Sequence, residues 1–97
     1  MKLIFHRSVL QKLKKIKHDD ESSMTSLMRG FRDLEKNGKR ATQVKKLTAP
    51  IKVFRKRVGV WRILFTEDGF VLRIWVVDRK KGPKDYRKWI NFVMKKI

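Results

Sequence analysis

The 97-residue chain contains no cysteine, which excludes a disulfide framework and any thiolate metal site. Its two histidines, His6 and His18, both fall in the N-terminal part. They form no metal-ligand pattern and belong to no Ser/His/Asp set, so each reads as an ordinary surface or interface residue. Acidic residues number only nine and are too scattered for a two-metal nuclease site; Glu67-Asp68 reads as part of a hairpin turn. With five glycines and two prolines, there is no glycine-rich phosphate loop. No apolar run approaches the ~20 residues needed to span a bilayer. The start, MKLIFHRSVLQKL, lacks a signal-peptide core and cleavage site. The expectation is a cytoplasmic protein with no membrane partner, no metal and no cofactor.

Positive charge is what the chain has in excess. Twenty-seven Lys+Arg face the nine Asp+Glu, for a formal net charge of +18. The imbalance is concentrated: residues 1–38 carry nine basic and five acidic side chains, residues 39–97 eighteen and four. Such self-repulsion works against a compact state, and a polyanionic partner explains it best. Hydrophobic content of 41% nonetheless supports a folded core, and the length fits one domain, residues 1–97.

Lys2–Phe5 reads as a strand. Ser8-Val-Leu-Gln11 matches a capping box, and Val9, Leu10, Leu13 and Ile16 recur at helical spacing. A second helix is expected to start at Ser22 or Ser23, with Met24, Leu27, Met28, Phe31 and Leu34 as its apolar stripe and Asn37-Gly38 as its stop. Lys39–Pro50 reads as a basic loop anchored by Leu47. Three β-type runs follow, Ile51–Val58, Val60–Thr66 and Phe70–Val77, separated by Gly59 and by the strong Asp68-Gly69 turn signal. On the third, Phe70, Leu72, Ile74 and Val76 form one apolar face. A last helix, Lys84–Lys96, follows Gly82-Pro83. The expected fold is α+β, in the order β-α-α-β-β-β-α: an antiparallel sheet with an N-terminal helical hairpin on one face and a C-terminal helix.

Residues two apart on a strand share a face. Arg55 and Arg57 therefore form a cationic pair, with Arg62 on the return strand. Like charges at that spacing repel unless an anion lies between them. Cleavage of RNA needs no metal, because the strand brings its own nucleophile, the 2′-hydroxyl. It requires in-line geometry, proton transfer and stabilisation of a phosphorane. Arginine gives bidentate phosphate contacts, while lysine and tyrosine can move protons. The candidate catalytic set is Arg55, Arg57 and Arg62, with Lys80 or Arg79 at the end of the third strand and Tyr86 nearby. Lys52, Lys56, Arg73, Trp75, Arg79 and Lys81 are the candidate RNA contacts. Parity puts Lys56 on the face opposite Arg55 and Arg57. Trp75 is equally consistent with base stacking and with core, whereas Trp61 reads as core.

The segment Val44-Lys-Lys-Leu47, the run VFRKRVGVWRILF over residues 53–65, the following hydrophobic strand and basic tract, and Tyr86 resemble the RelE/ParE superfamily of bacterial toxins. The resemblance covers almost the whole chain, and the R-x-R-V-G-x-aromatic-R stretch is its most specific part. It implies a metal-independent mRNA endonuclease acting in the ribosomal A site, in contact with 16S rRNA. Such an enzyme leaves a 2′,3′-cyclic phosphate and is held inactive by a cognate acidic antitoxin. It also implies roles: Arg55 and Arg57 as the basic pair of the first central strand, and Arg62 as phosphate and transition-state stabiliser. Lys80 or Arg79 would be the general acid, and Tyr86 would stack on or orient the substrate.

Three positions depart from the family pattern. Arg57 stands where RNA-cleaving members have a lysine proposed as base, and arginine is a poor proton acceptor. Lys56 replaces a residue that is usually apolar. Asp78-Arg79 replaces a common His-Arg pair. The base is thus unassigned, and two other readings stand beside the nuclease: a ParE-like inhibitor of DNA gyrase, and a basic RNA- or ribosome-binding module without catalysis.

Overall fold

The computed structural model describes residues 1–97. Its elements are β1 (Lys2–Phe5), α1 (Arg7–Asp19), α2 (Glu21–Asn37), a 3-10 turn (Gly38–Arg40), β2 (Val44–Lys46), β3 (Phe54–Val58), β4 (Trp61–Asp68), β5 (Val71–Arg79) and α3 (Asp85–Lys96). The five strands form one sheet in the order β1-β5-β4-β3-β2.

The α+β class and the helical hairpin are as expected, but the sheet is mixed. β2 to β5 are antiparallel, whereas β1 pairs with β5 in parallel. Parallel neighbours need a long connection, and here the whole chain from α1 to β4 supplies it. β2 lies inside the segment expected to be a loop. It is three residues long with two exposed lysines, so it carries too little apolar periodicity to be read from sequence, and its pairing with β3 makes it a strand.

Both helix starts differ from expectation in the same way. The N-cap of α1 is His6, whose Nδ1 accepts from Ser8 N at 3.2 Å, so Ser8 is the capped residue and not the cap. The N-cap of α2 is Asp20, accepting from Ser23 N at 3.1 Å. The end of α2 follows the sequence: Gly38, at φ 58°, sits where a side chain is strained.

Each face of the sheet buries a core. α1 and α2 cover one with Val9, Leu13, Ile16, Leu27, Phe31 and Leu34 against Trp61, Ile63, Phe65, Leu72, Ile74 and Val77. α3 covers part of the other, where Trp89 and Val93 meet Val53, Leu64, Trp75 and Val76. The expected face of Phe70, Leu72, Ile74 and Val76 is therefore broken twice. Phe70 lies in the turn before β5 and is 86% exposed. Val76 is turned to the α3 side by a bulge: Leu64 pairs with Val76 and Phe65 with Ile74, leaving Trp75 without a partner. One extra residue in a strand puts two neighbours on one face, here Trp75 and Val76.

Candidate active site

The β3–β4 hairpin turns at Gly59, whose φ is 60°, and its register places Arg57 directly opposite Arg62. Both project from the face that α3 covers only in part, with Arg55 two residues along. β2 adds a fourth cation there, because Lys45 is the cross-strand partner of Arg55. Nothing in the sequence marked Lys45, since its role follows from the unforeseen strand.

Arg62 is held in place from three directions. Its Nε donates to Tyr86 Oη at 3.1 Å, and its Nη1 donates to the carbonyls of Gly59 and Trp61, each at 3.0 Å. The two N–H groups of Nη2 remain available to a ligand. Because the Tyr86 oxygen accepts from Arg62, the phenolic proton is free to be donated elsewhere. The Tyr86 ring is itself fixed edge-on against Trp89, 5.5 Å between centroids.

Lys80 completes the group. Its ammonium lies 5.3 Å from the centre of the Tyr86 ring and donates to the carbonyl of Gly82 at 3.0 Å. The loop that carries it is closed by Asp85, whose carboxylate accepts from the backbone N–H groups of Lys81 and Gly82. Those bonds, the one from Gly82 foremost, hold the Asp85 carboxyl below its usual range.

Arg79 points the other way. It pairs with Trp61 across the strands, and its guanidinium lies 5.0 Å from that indole and 3.7 Å from Asp20. It belongs to the helical-hairpin face, so of the two candidate acids only Lys80 lies beside Tyr86.

Two expected RNA contacts are corrected. Lys56 is only 3% exposed. Its ammonium donates to Asp33 Oδ2 at 2.8 Å, to Thr42 O at 2.7 Å and to Thr42 Oγ1 at 3.2 Å, so all three donors are used internally. The Lys56 ammonium, first among the causes, holds the Asp33 carboxyl far below its usual range. Trp75 is 8% exposed and its indole N–H donates to Thr66 Oγ1 at 2.8 Å, which places it in the α3 core rather than on a stacking platform. Arg73 is exposed on the same face but far along β5, opposite Thr66. Lys52 and Lys81 are exposed on the segments entering β3 and leaving β5.

The Lys56 network also shapes the site from behind. Thr42, held by Asp33 and Lys56, precedes Gln43, the one non-glycine residue with positive φ, 57°. The Gln43 carbonyl accepts from Arg55 Nη1 at 2.7 Å and from the Arg57 backbone at 3.1 Å. No sequence signal marked Gln43, since glutamine is not a usual left-handed residue.

The carboxylates that flank the arginines are committed elsewhere. Asp78, the cross-strand partner of Arg62, faces Lys12 at 3.4 Å and caps the backbone of Arg79. No ion pair reaches Arg55, Arg57 or Arg62. No group of three or more His, Cys, Asp or Glu side chains is arranged to hold a metal ion, and no helix is long and apolar enough to cross a membrane.

No protein-family model and no curated protein matches this sequence. Solved structures do match its shape. The YoeB–YefM complex from Staphylococcus aureus aligns with a TM-score of 0.70 at 13% identity, over 84% of this chain and 98% of that one. The YoeB dimer from the same organism gives 0.69 at 15%, over 86% and 98%. The YoeB/ParE toxin from Agrobacterium tumefaciens gives 0.70 at 12%, over 84% and 100%. Sequence identity this low leaves the fold as the shared property, and the fold of this chain is that of the YoeB and ParE toxins.

Proposed function

We propose that the protein is the toxin of a toxin–antitoxin pair, a metal-independent endoribonuclease that cleaves mRNA in the ribosomal A site and so arrests translation. The observation that carries this reading is the hydrogen bond from Arg62 to Tyr86 with Lys80 beside the ring, on a face with two further arginines and no counter-ion. A protein that merely occludes a partner has no need of an immobilised arginine with a free amino group next to a free phenolic proton.

In the proposed reaction the 2′-oxygen bonds to phosphorus as the bond from phosphorus to the 5′-oxygen breaks. The 2′-hydroxyl gives its proton to solvent water and the 5′-oxygen gains one from the site, giving a 2′,3′-cyclic phosphate and a 5′-hydroxyl end, after which solvent reprotonates the donor. Arg62 Nη2, with Arg55 and Arg57, stabilises the charge on the phosphorane. Lys80 or Tyr86 protonates the leaving 5′-oxygen. Arg57 cannot take the 2′ proton, since a guanidinium does not deprotonate in proteins.

That limitation of Arg57 favours a second reading, a ribosome-binding module that occupies the same site without cutting. The excess positive charge fits both mRNA and 16S rRNA, as well as an acidic antitoxin that masks the face. The Staphylococcus aureus YoeB structures, solved with YefM, supply the analogy for that partner.

The test is expression without the antitoxin, followed by mapping of mRNA ends. Growth arrest with new 5′-hydroxyl ends at codon-phased positions is expected. Arrest without new ends supports the binding module, and DNA breaks with continuing translation support a gyrase inhibitor.

A further inference from the structure

A second concavity lies away from the Arg62–Tyr86 group. It is a cleft of about 660 Å³ between the start of α1, β1, β5 and the end of α3, and among its walls are His6, Arg7, Arg73, Trp75 and Lys96. Three aromatic rings, Phe5, His6 and Trp75, are among its lining residues. The His6 ring lies 5.7 Å from Trp75 and 5.4 Å from Phe92, and the Lys96 ammonium sits 5.6 Å over the Phe92 ring.

Three cations thus meet in one concavity with no carboxylate among its lining residues. The five ion pairs of the molecule involve none of Arg7, Arg73 and Lys96. Asp68 lies in the adjoining groove yet forms no ion pair with Arg73. The 13-residue helix α1 starts at Arg7, so the positive end of its dipole adds to the field at the cleft. Here unpaired cations converge on a hollow beside an aromatic ring, the combination that holds single-stranded nucleic acid.

We propose that this cleft is a second phosphodiester-binding site, which anchors the RNA strand several nucleotides from the cleavage position. The identity of the strand as RNA rests on the reading of the Arg62–Tyr86 site given above. α3 links the two places, with Tyr86 near one end and Lys96 at the other. Ten residues at a rise of 1.5 Å make about 15 Å, which four to five stacked nucleotides cover at roughly 3.4 Å each. Arg7 and Arg73 hold backbone phosphates, and the exposed part of the His6 ring receives a base.

The probe is a fluorescent 12-nucleotide RNA with 2′-O-methyl at every position, which cannot be cleaved. Its binding to the wild-type chain and to the Arg7→Gln/Arg73→Gln double variant is followed by anisotropy across a salt series. Removing two phosphate contacts is expected to flatten the plot of log affinity against log salt by about 1.4, at ~0.7 per phosphate for single strands. Affinity should fall on the order of tenfold at 0.1 M salt. A control of equal charge change, Lys14→Gln/Lys15→Gln on the exposed side of α1, should move neither quantity comparably, and Lys96→Gln should reproduce half of the double variant's effect. Equal slopes for the cleft and control variants overturn the inference, as does a wild-type chain that does not bind the strand. A chain that binds with the expected slopes but cleaves no mRNA leaves the cleft intact and removes only the nuclease reading.

Discussion

Arg57 and Arg62 stand directly opposite each other on β3 and β4, and no carboxylate pairs with either. Like charges in that position oppose pairing of the strands by roughly 0.2–1 kcal/mol. The hairpin carries this cost in the free protein, and an anion between the two guanidinium groups removes it. Arg57→Thr is therefore expected to stabilise the fold while lowering toxicity. For a domain near this size the gain corresponds to a melting temperature higher by up to several degrees. Added salt should narrow the difference, because screening relieves the repulsion in the wild-type chain. Thermal melts at low and high salt check it; a variant less stable than wild type at low salt contradicts the account.

Arg62 and Tyr86 act as a unit through the 3.1 Å hydrogen bond. Tyr86→Phe keeps the ring against Trp89 but removes both the acceptor for Arg62 Nε and the phenolic proton. Losses of about 10²–10³ in cleavage rate are expected for Arg62→Ala, in line with removal of a transition-state donor. Tyr86→Phe should cost about 10²–10⁴, in line with loss of a proton donor. The double variant should fall well short of the product of the two, since partners in contact are not additive. Full growth arrest by the double variant, at wild-type expression, would place the chemistry elsewhere.

Lys80 and Arg79 are neighbours in sequence on opposite faces of the sheet, which makes them a clean pair to compare. Lys80→Ala removes the ammonium beside Tyr86 and should abolish arrest with little change in melting temperature. Arg79→Ala removes contacts to Trp61 and Asp20 and should lower stability modestly, on the order of 1 kcal/mol, with arrest retained. The reverse pattern would put Arg79, and not Lys80, beside the reacting phosphate as a charge stabiliser, and would leave Tyr86 as the proton donor.

The sequence was most readable where a residue's role depends on local pattern. The helical stripes, the Asp68-Gly69 turn and the alternation of Arg55 and Arg57 all follow from period and turn chemistry. The facing of Lys56 away from that pair also followed from parity, yet parity did not reveal the carboxylate waiting for it, because Asp33 lies 23 positions earlier in the chain. The bulge at Trp75 was illegible for a similar reason. It depends on how β4 and β5 register, and one skipped residue reverses the facing of Val76 and sets it beside Trp75 under α3. His6 as the cap of α1 went unread because a serine two residues on offered the commoner cap. Arg79 and Lys80 could not be told apart until the end of β5 was fixed by pairing.

The Lys56–Asp33 pair gives a pH prediction with a definite sign. Asp33 titrates far lower in the folded chain than the ~3.9 of an unfolded aspartate, chiefly because the Lys56 ammonium donates to it. Its folded-state pKa is depressed, so its contribution to stability is complete above the unfolded value and is lost as pH falls towards the folded one. Urea midpoints should stay level from neutral pH down to about 5 and then decline below about 4. In Asp33→Asn that part of the decline should be missing. Lys56→Ala leaves the carboxylate without its main partner and should cost about 3 kcal/mol or more. It also removes one of the two side chains that hold Thr42, the residue before Gln43, whose carbonyl accepts from Arg55. Lys56→Met, which fills the space but pairs with nothing, should therefore lower toxicity if it folds, because the Gln43 carbonyl that holds Arg55 is placed less firmly. Wild-type arrest by a folded Lys56→Met chain would show that Arg55 keeps its position without the network behind it.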